Sequence, residues 1–149
     1  KFSTMNKRVE IFRTQIGQDK WLFDYPLMDW MNAKVLEVDE GKVKMQFTVE
    51  KYMLNPIGIL HGGIAAAMLD ELMGAAGFTI GRPTGYATIN MNIDYLNSAK
   101  AGEKVIGEGV IIRAGKNIMH AEARLYNEEG KLLSKASSNL IATSVPIPF

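Results

Sequence analysis

One long helical segment, residues 62–79, limits the fold of this chain most, because the other strong patterns along the sequence predict β-strands. Two strands are predicted before the helix and four after it, at residues 35–38, 43–49, 86–96, 105–113, 118–126 and 132–145. Short turns within the first pair and among the last three strands require antiparallel neighbours. The helix must bury its apolar surface, and the sheet is the available partner. The sequence therefore predicts an α+β fold in the order ββαββββ, a curved antiparallel sheet wrapped around one long central helix.

The chain length of 149 residues suits one compact domain, and 47% hydrophobic residues are enough for its core. We assign residues 1–149 to this single domain, with residues 1–30 as a helical or irregular N-terminal extension. Within the extension, residues 7–16 have helical spacing and Gly17 follows as a stop. The aromatic segment 21–26 could cover a binding cleft, but the sequence favours its burial in the core.

The composition excludes several classes of function. The absence of cysteine excludes disulfides, thiolate metal sites and cysteine nucleophiles, and two histidines are too few for a histidine-rich metal site. A net charge of +1 gives no reason to expect a nucleic-acid partner. The most apolar segment, residues 62–81, carries Asp70 and Glu71 at its centre, which makes a membrane span costly. We expect a soluble, cytoplasmic protein without a metal.

Two adjacent glycines, Gly62 and Gly63, begin the helix directly after His61. Glycines leave the N–H groups of a helix N-terminus open to a ligand, and the helix dipole favours an oxygen that acquires negative charge there. A tetrahedral intermediate at a carbonyl has such an oxygen. Taken alone, the two glycines are better explained by close packing than by catalysis. His61 either has a functional role, fixing the loop by a hydrogen bond or orienting a substrate carbonyl, or is simply a helix-entry histidine with a satisfied ring, and the sequence favours neither.

Asp70 changes that balance. On a helical wheel Asp70 lies on the side of the small residues Gly63, Ala66, Ala67, Gly74 and Gly77. A carboxylate among small apolar residues is costly unless it is paired, hydrated or functional. It is therefore either a charge at a partly wet interface or a catalytic group, and the glycine turn favours catalysis. Glu71 lies about 100° further round the helix and need not face the same environment.

The spacing between Gly62 and Asp70 predicts a dimer. Eight residues of helix place them about 12 Å apart, whereas a nucleophile must lie about 3–3.5 Å from the carbon that it attacks. One chain cannot easily supply both groups to one substrate, but two antiparallel helices across a two-fold axis can. We therefore expect an obligatory homodimer with two sites, each shared between the chains.

Further candidates lie on the flanking segments. Asn55 has an amide that could hold water or a substrate oxygen, although asparagine before proline is often a turn residue. Thr88, on the polar face of its strand, could orient a water. Gly63 could contact the substrate at the helix N-terminus. Three basic residues in or beside turns could bind phosphate groups of a substrate: Arg82, Arg113 and Lys116.

The pattern Asn-x5-His-Gly-Gly-x6-Asp over residues 55–70 resembles that of PaaI-like thioesterases, which belong to the hotdog superfamily. The segment Thr88-Ile89-Asn90-Met91-Asn92-Ile93 is similar to the strand that follows in that family. The resemblance extends through the strand order over residues 31–144, and its specific part is residues 55–70.

The resemblance implies a hotdog-fold acyl-CoA thioesterase that needs no metal and no cofactor, coenzyme A being part of the substrate. It implies that Asp70 is general base or nucleophile, that the Gly62 N–H polarises the carbonyl, that Asn55 and His61 position the substrate, and that Thr88 orients water. It also implies homodimers, often paired into tetramers, with coenzyme A between subunits. The alternatives are a non-catalytic acyl-CoA-binding protein, against which Asp70 argues, and a hotdog dehydratase, whose histidine–acid spacing fits poorly.

Overall fold

The structure is a computed structural model that describes residues 6–148. The helices are α1 (Lys7–Arg13), α2 (Pro26–Trp30) and the central α3 (Gly62–Phe78), and a 3-10 helix covers Lys51–Met53. The strands are β1 (Lys34–Asp39), β2 (Lys42–Thr48), β3 (Thr84–Tyr95), β4 (Lys104–Ala114), β5 (Ile118–Asn127) and β6 (Leu132–Pro146). The domain predicted for residues 1–149 also includes residues 1–5 and 149, which lie outside the described residues.

The six strands form one antiparallel sheet in the order β1-β2-β4-β5-β6-β3. Helix α3 packs mainly against β4 and β5, in the middle of that sheet. The predicted α+β fold, with ββαββββ order around one long helix, is therefore confirmed. Strand β3 is an edge strand, and this places the segment directly after α3 at the border of the sheet.

The core lies between α3 and the concave face of the sheet. The alternating residues of the second strand pattern, Val43, Met45, Phe47 and Val49, are each 0% exposed, as the period-two pattern predicts. They meet the buried face of α3, which contributes Met68, Leu69, Leu72 and Met73. Burying a side chain of this size stabilises the fold by about 1.5–3 kcal/mol. This packing fixes which side of α3 remains available for a site.

Two glycines of β4 allow α3 to lie close to the sheet. A Cβ atom on Gly109 would stand 2.3 Å from the Leu72 carbonyl oxygen, and one on Gly107 would stand 2.4 Å from the Leu72 side chain. A side chain at Gly109 would have to move the helix backbone away from the strand, and one at Gly107 would displace the Leu72 side chain. The two glycines therefore set the height of α3 above the sheet.

In the aromatic segment 21–26, Trp21 packs against the core, but the residues that follow it are exposed, contrary to the prediction of burial. Leu22 is 62% exposed, Phe23 39% and Tyr25 37%. The core beneath the sheet is already filled by α3, so the segment lies over the side of the helix. Helix α2, which the sequence did not predict, begins directly after Tyr25 with Pro26, whose missing N–H costs nothing at a first helical position.

Candidate active site

Asp70 and Thr88 meet at the border between α3 and β3. The Thr88 hydroxyl donates a hydrogen bond of 2.8 Å to Oδ1 of Asp70. Asp70 is half-buried and Thr88 is exposed, so the carboxylate is held by the protein while water and a substrate can still reach it. The pair has the composition expected of a base with an orienting hydroxyl.

The N-terminus of α3 is capped by its own histidine. His61 has extended backbone angles, and its Nδ1 accepts a hydrogen bond of 2.8 Å from the Gly63 N–H. Because Nδ1 accepts, the ring proton is on Nε2. A Cβ on Gly63 would stand 3.1 Å from the His61 ring, so the cap depends on glycine at that position. Of the two functions considered for His61, the structure shows the hydrogen bond that fixes the turn.

Because the Gly63 N–H is bonded to His61, the Gly62 N–H is the candidate donor to a substrate oxygen at this helix N-terminus. Gly62 is the first residue of α3, so its N–H has no acceptor inside the helix. Its carbonyl oxygen accepts a 2.8 Å hydrogen bond from the Tyr95 hydroxyl at the end of β3, which fixes the peptide plane on the other side. Gly63, expected to contact substrate, already donates its N–H to His61.

Asn55 organises the loop before α3. Its side-chain oxygen accepts hydrogen bonds from the N–H groups of Ile57 and Ile59, at 3.1 and 3.2 Å. Gly58, with a φ of 82°, makes the turn between them. The oxygen of Asn55 therefore performs the turn role that the sequence offered as the alternative, while its NH₂ group remains the candidate for substrate or water.

Asp70 and Gly62 border different cavities of the chain. The first, which we call the Asp70 cavity, has a volume of about 370 Å³ and is lined by Asp70, Glu71 and Thr88 together with aromatic side chains of the N-terminal extension. The second, of about 510 Å³, is lined by Asn55, Gly62 and Tyr95. Within one chain the candidate base and the candidate oxyanion donor are thus separated, as the spacing along the helix predicts.

Glu71 and Tyr25 form a second polar pair in the Asp70 cavity. The Tyr25 hydroxyl lies 2.5 Å from both carboxylate oxygens of Glu71. Burial, and less strongly the charge of Asp70, raises the pKa of Glu71, although the hydrogen bond from Tyr25 opposes this shift. Burial and the neighbouring acids also raise the pKa of the Tyr25 hydroxyl, so it stays protonated. The two acids of α3, one residue apart, therefore border the same cavity and have different partners.

Basic residues gather at one end of the sheet. Arg82 lines the Asp70 cavity, and its Nη2 donates a 3.1 Å hydrogen bond to the carbonyl of Ala114. This contact brings Arg82 beside the turn that carries Arg113 and Lys116, both of which are exposed. The three residues singled out for phosphate binding thus lie around one corner of the molecule.

Residues 6–148 contain neither a metal-binding cluster nor a membrane-spanning helix. No group of three or more His, Cys, Asp or Glu side chains in this part of the chain is arranged to hold a metal ion. No helix in the same range is long and apolar enough to cross a membrane.

Tyr25, Glu71 and the two strand glycines are the residues that sequence reasoning missed. The sequence favours burial for the segment with Tyr25, and the angle between Glu71 and Asp70 on the helix allows the two acids different environments. The alternation Gly107-Glu108-Gly109 was a usable signal, because glycine within a strand often marks a close approach of another backbone.

The curved antiparallel sheet around a central helix is the hotdog fold, and solved structures of similar fold support this assignment. The PaaI protein of Escherichia coli has a TM-score of 0.81 with this chain at 16% identity, covering 97% of this chain and 99% of that one. A hypothetical thioesterase protein of Streptococcus pneumoniae TIGR4, solved with coenzyme A, has a TM-score of 0.72 at 22% identity and covers 77% and 88%.

Sequence comparison identifies the family. The model of the thioesterase superfamily matches residues 57–134. Acyl-coenzyme A thioesterase 13 of Mus musculus is 31% identical over 119 residues, which is 78% of this chain and 85% of that protein. The chain belongs to the thioesterase superfamily and is a thioester hydrolase.

Proposed function

We propose that this protein hydrolyses acyl-CoA thioesters to a free acid and coenzyme A, with Asp70 as the catalytic carboxylate. The observation that carries the proposal is the Asp70–Thr88 hydrogen bond at the rim of a cavity lined largely by apolar side chains. Two relatives support the choice of thioester: the mouse relative is named an acyl-CoA thioesterase, and the pneumococcal structure contains coenzyme A.

In the proposed reaction, Thr88 holds the carboxylate of Asp70, which removes a proton from a water as that water attacks the thioester carbonyl. The carbonyl oxygen becomes negative and accepts a hydrogen bond from the Gly62 N–H, where the helix dipole adds to the stabilisation. The carbon–sulfur bond then breaks, and the departing thiolate takes the proton, leaving acid and coenzyme A.

Direct attack by Asp70 is the other route from the same groups. The carboxylate would then form a mixed anhydride and release the thiolate, and water would hydrolyse the anhydride. We favour the general-base route. A single turnover in ¹⁸O-water tests this choice, because label recovered in the Asp70 carboxylate would show that the acid had been acylated.

The proposed site takes its two halves from two chains. Asp70 and Gly62 border separate cavities of one chain, so a second copy must bring its Gly62 to the first copy's Asp70. The side of α3 that carries Asp70 is accessible to such a copy, because Gly63 and Gly74 are exposed there, whereas Gly77 packs against Leu140. The pairing of dimers into tetramers rests on the family resemblance alone.

Asn55, His61 and three basic residues are the remaining groups proposed to hold the substrate or to shape its site. The NH₂ group of Asn55 is proposed to bind the thioester oxygen or the water, and His61 keeps the glycine turn in shape. Arg82, Arg113 and Lys116 are proposed to bind the phosphates of coenzyme A, since they lie at one corner of the molecule and their side chains donate to phosphate oxygens.

The test is a panel of acyl-CoA thioesters assayed for the release of free thiol. We expect hydrolysis by the native protein and its loss in Asp70→Asn, with substrate binding retained. Hydrolysis of none of the aliphatic or aromatic thioesters, together with tight binding of the same compounds, would instead identify a non-catalytic acyl-CoA-binding protein.

A further inference from the structure

The Asp70 cavity has a wall of aromatic rings that runs from α3 to the N-terminal extension. Phe78 and Phe12 lie with their ring centroids 6.0 Å apart, Phe12 and Trp21 also 6.0 Å apart, and Trp21 and Tyr25 6.4 Å apart. All four rings line the cavity that contains Asp70. Aromatic pairs in edge-to-face or tilted geometry at this spacing are more stable than their buried area alone would make them. The four rings therefore form one continuous packed surface.

The segment that supplies the wall is fixed at both ends. At its base, the buried Gln15 donates to the carbonyl of Lys20 at 2.7 Å and accepts from the N–H of Leu22 at 2.7 Å. At its tip, the hydroxyl of Tyr25 is bound by both carboxylate oxygens of Glu71. The position of the Tyr25 ring is thus set by the residue that directly follows Asp70 in the chain.

Neither Tyr25 nor Glu71 is hydrogen-bonded to Asp70 or Thr88 within residues 6–148, so we assign the Tyr25–Glu71 pair no step in the proposed chemistry. It does determine the space beside Asp70. A thioester whose carbonyl lies at Asp70 can extend its acyl group into the cavity of about 370 Å³, which the Tyr25 ring borders.

We propose that Tyr25 is a specificity-determining residue that limits the size of the acyl group accepted beside Asp70, and that Glu71 is a positioning residue that acts through Tyr25. The proposal rests on the proposed acyl-CoA hydrolysis. An acyl chain gains affinity with each methylene that it buries, by about fourfold. In the native protein, the gain in affinity should stop at the chain length at which the acyl group meets the Tyr25 ring. Without the ring, the affinity should keep rising for longer acyl chains.

Four variants separate the ring from its hydrogen bond. Tyr25→Ala removes both, and Tyr25→Phe removes only the hydroxyl. Glu71→Leu removes the acceptor, whereas Glu71→Gln keeps an oxygen that can accept from Tyr25. Tyr52→Ala is the matched control, because Tyr52 also anchors the extension, donating to the Trp30 carbonyl at 2.7 Å, but does not line the Asp70 cavity.

The experiment measures kcat and KM separately for straight-chain thioesters from acetyl-CoA to lauroyl-CoA and for benzoyl-CoA. In Tyr25→Ala we expect the KM to keep falling, about fourfold per added methylene, beyond the chain length at which the native protein levels off. The kcat for acetyl-CoA should stay unchanged in the control Tyr52→Ala. Tyr25→Phe and Glu71→Leu should shift the profile in the same direction by less, and Glu71→Gln and Tyr52→Ala should match the native profile.

A native chain-length profile in Tyr25→Ala would overturn the proposal. If that variant does not fold, a native profile in both Tyr25→Phe and Glu71→Leu would overturn it equally. The Kd values of non-hydrolysable thioether analogues with the same acyl chains keep the test independent of catalysis. If the native protein hydrolyses nothing but the variants still shift the chain-length dependence of Kd, the proposed hydrolysis fails and the role of Tyr25 stands.

Discussion

The hydroxyl of Thr88 on edge strand β3 donates to the Oδ1 atom of Asp70 on the central helix at 2.8 Å. This contact joins two elements that the chain connects through a short turn, since β3 begins at Thr84, soon after α3 ends at Phe78. It uses one carboxylate oxygen and fixes the orientation of the other. The proposed chemistry depends on that orientation, and each partner can be removed separately.

Replacing Asp70 by asparagine tests the carboxylate itself. The amide keeps the shape and an oxygen for Thr88 but cannot take a proton from water, so kcat should fall by about 10²–10⁴. The KM and the thermal unfolding midpoint should stay close to native values. Steady-state kinetics and calorimetry measure both. A folded Asp70→Asn protein with native kcat would exclude the proposed role, and a loss of folding would show a structural acid.

Thr88 should contribute less than Asp70, because it acts by orienting the carboxylate. A hydrogen bond to a charged group contributes about 1.5–3 kcal/mol, so Thr88→Ala should lower kcat about 10- to 100-fold with little change in KM. Thr88→Ser keeps the hydroxyl and should restore most of the activity. Equal activity of the alanine and serine variants would show that the hydrogen bond seen here has no catalytic role.

The N–H of Gly62 can be deleted without a change of backbone shape. Proline is tolerated at the first helical position, and the residue before it, His61, already has the extended angles that a following proline requires, with φ −61° and ψ 133°. Gly62→Pro should therefore fold and lose about 10²–10³ in kcat, the usual effect of losing one oxyanion donor.

Gly62→Ala is the control for that deletion. It keeps the N–H, and its Cβ would stand 3.4 Å from the Tyr95 ring, an ordinary contact distance. We expect near-native kcat for the alanine variant. If alanine and proline lower kcat equally, space next to Tyr95 matters at this position and the N–H does not.

The sequence predicts the parts of the fold that local patterns encode. The alternation from Val43 to Val49 identified the buried face of β2, and the eight-residue spacing of Gly62 and Asp70 predicted their separation, because both follow from the repeat of a single element. The resemblance added Thr88 as a water-orienting hydroxyl, whereas its hydrogen bond to Asp70 is seen only in the structure. The repeating patterns of α3 and β3 do not show which residue of β3 lies next to Asp70.

The contact between Tyr25 and Glu71 could not be predicted in this way. The two residues are 46 positions apart, and Tyr25 belongs to a segment without a repeating pattern. A run of aromatic residues is consistent with burial in the core. It lies over the side of α3 because α3 itself already fills the core next to the sheet. Such a contact depends on tertiary packing rather than on local propensity.

The raised pKa of Glu71 predicts a pH dependence of stability. Burial is the main cause, the Asp70 charge adds to it, and the Tyr25 hydroxyl opposes it. Because the folded protein holds the proton more tightly than the unfolded chain, stability relative to Glu71→Gln should be highest below the ordinary glutamate pKa of about 4.3 and should fall as the pH rises through the raised value. Urea unfolding of both proteins over this range measures the difference.

An exposed acid provides the control for that measurement. Glu129, in the turn before β6, is exposed and does not line the Asp70 cavity, so Glu129→Gln should show the same pH dependence of stability as the native protein. The other charged groups that line the cavity with Glu71 are Arg8, Asp70 and Arg82, and all three remain in Glu71→Gln. A difference between native and Glu71→Gln proteins that grows in favour of the native protein with rising pH would contradict the assigned direction.

Mixing two inactive variants tests whether each site is shared between chains. In a heterodimer of Asp70→Asn and Gly62→Pro chains, one site would combine both defects and the other would combine an intact Asp70 with an intact Gly62. Random exchange of equal amounts makes half of the dimers mixed, so roughly a quarter of all sites should recover native kcat. A site built within a single chain would recover none, because every chain carries one defect. Activity that rises from the level of either parent towards a quarter of native, on a time scale set by subunit exchange, is therefore the expected result.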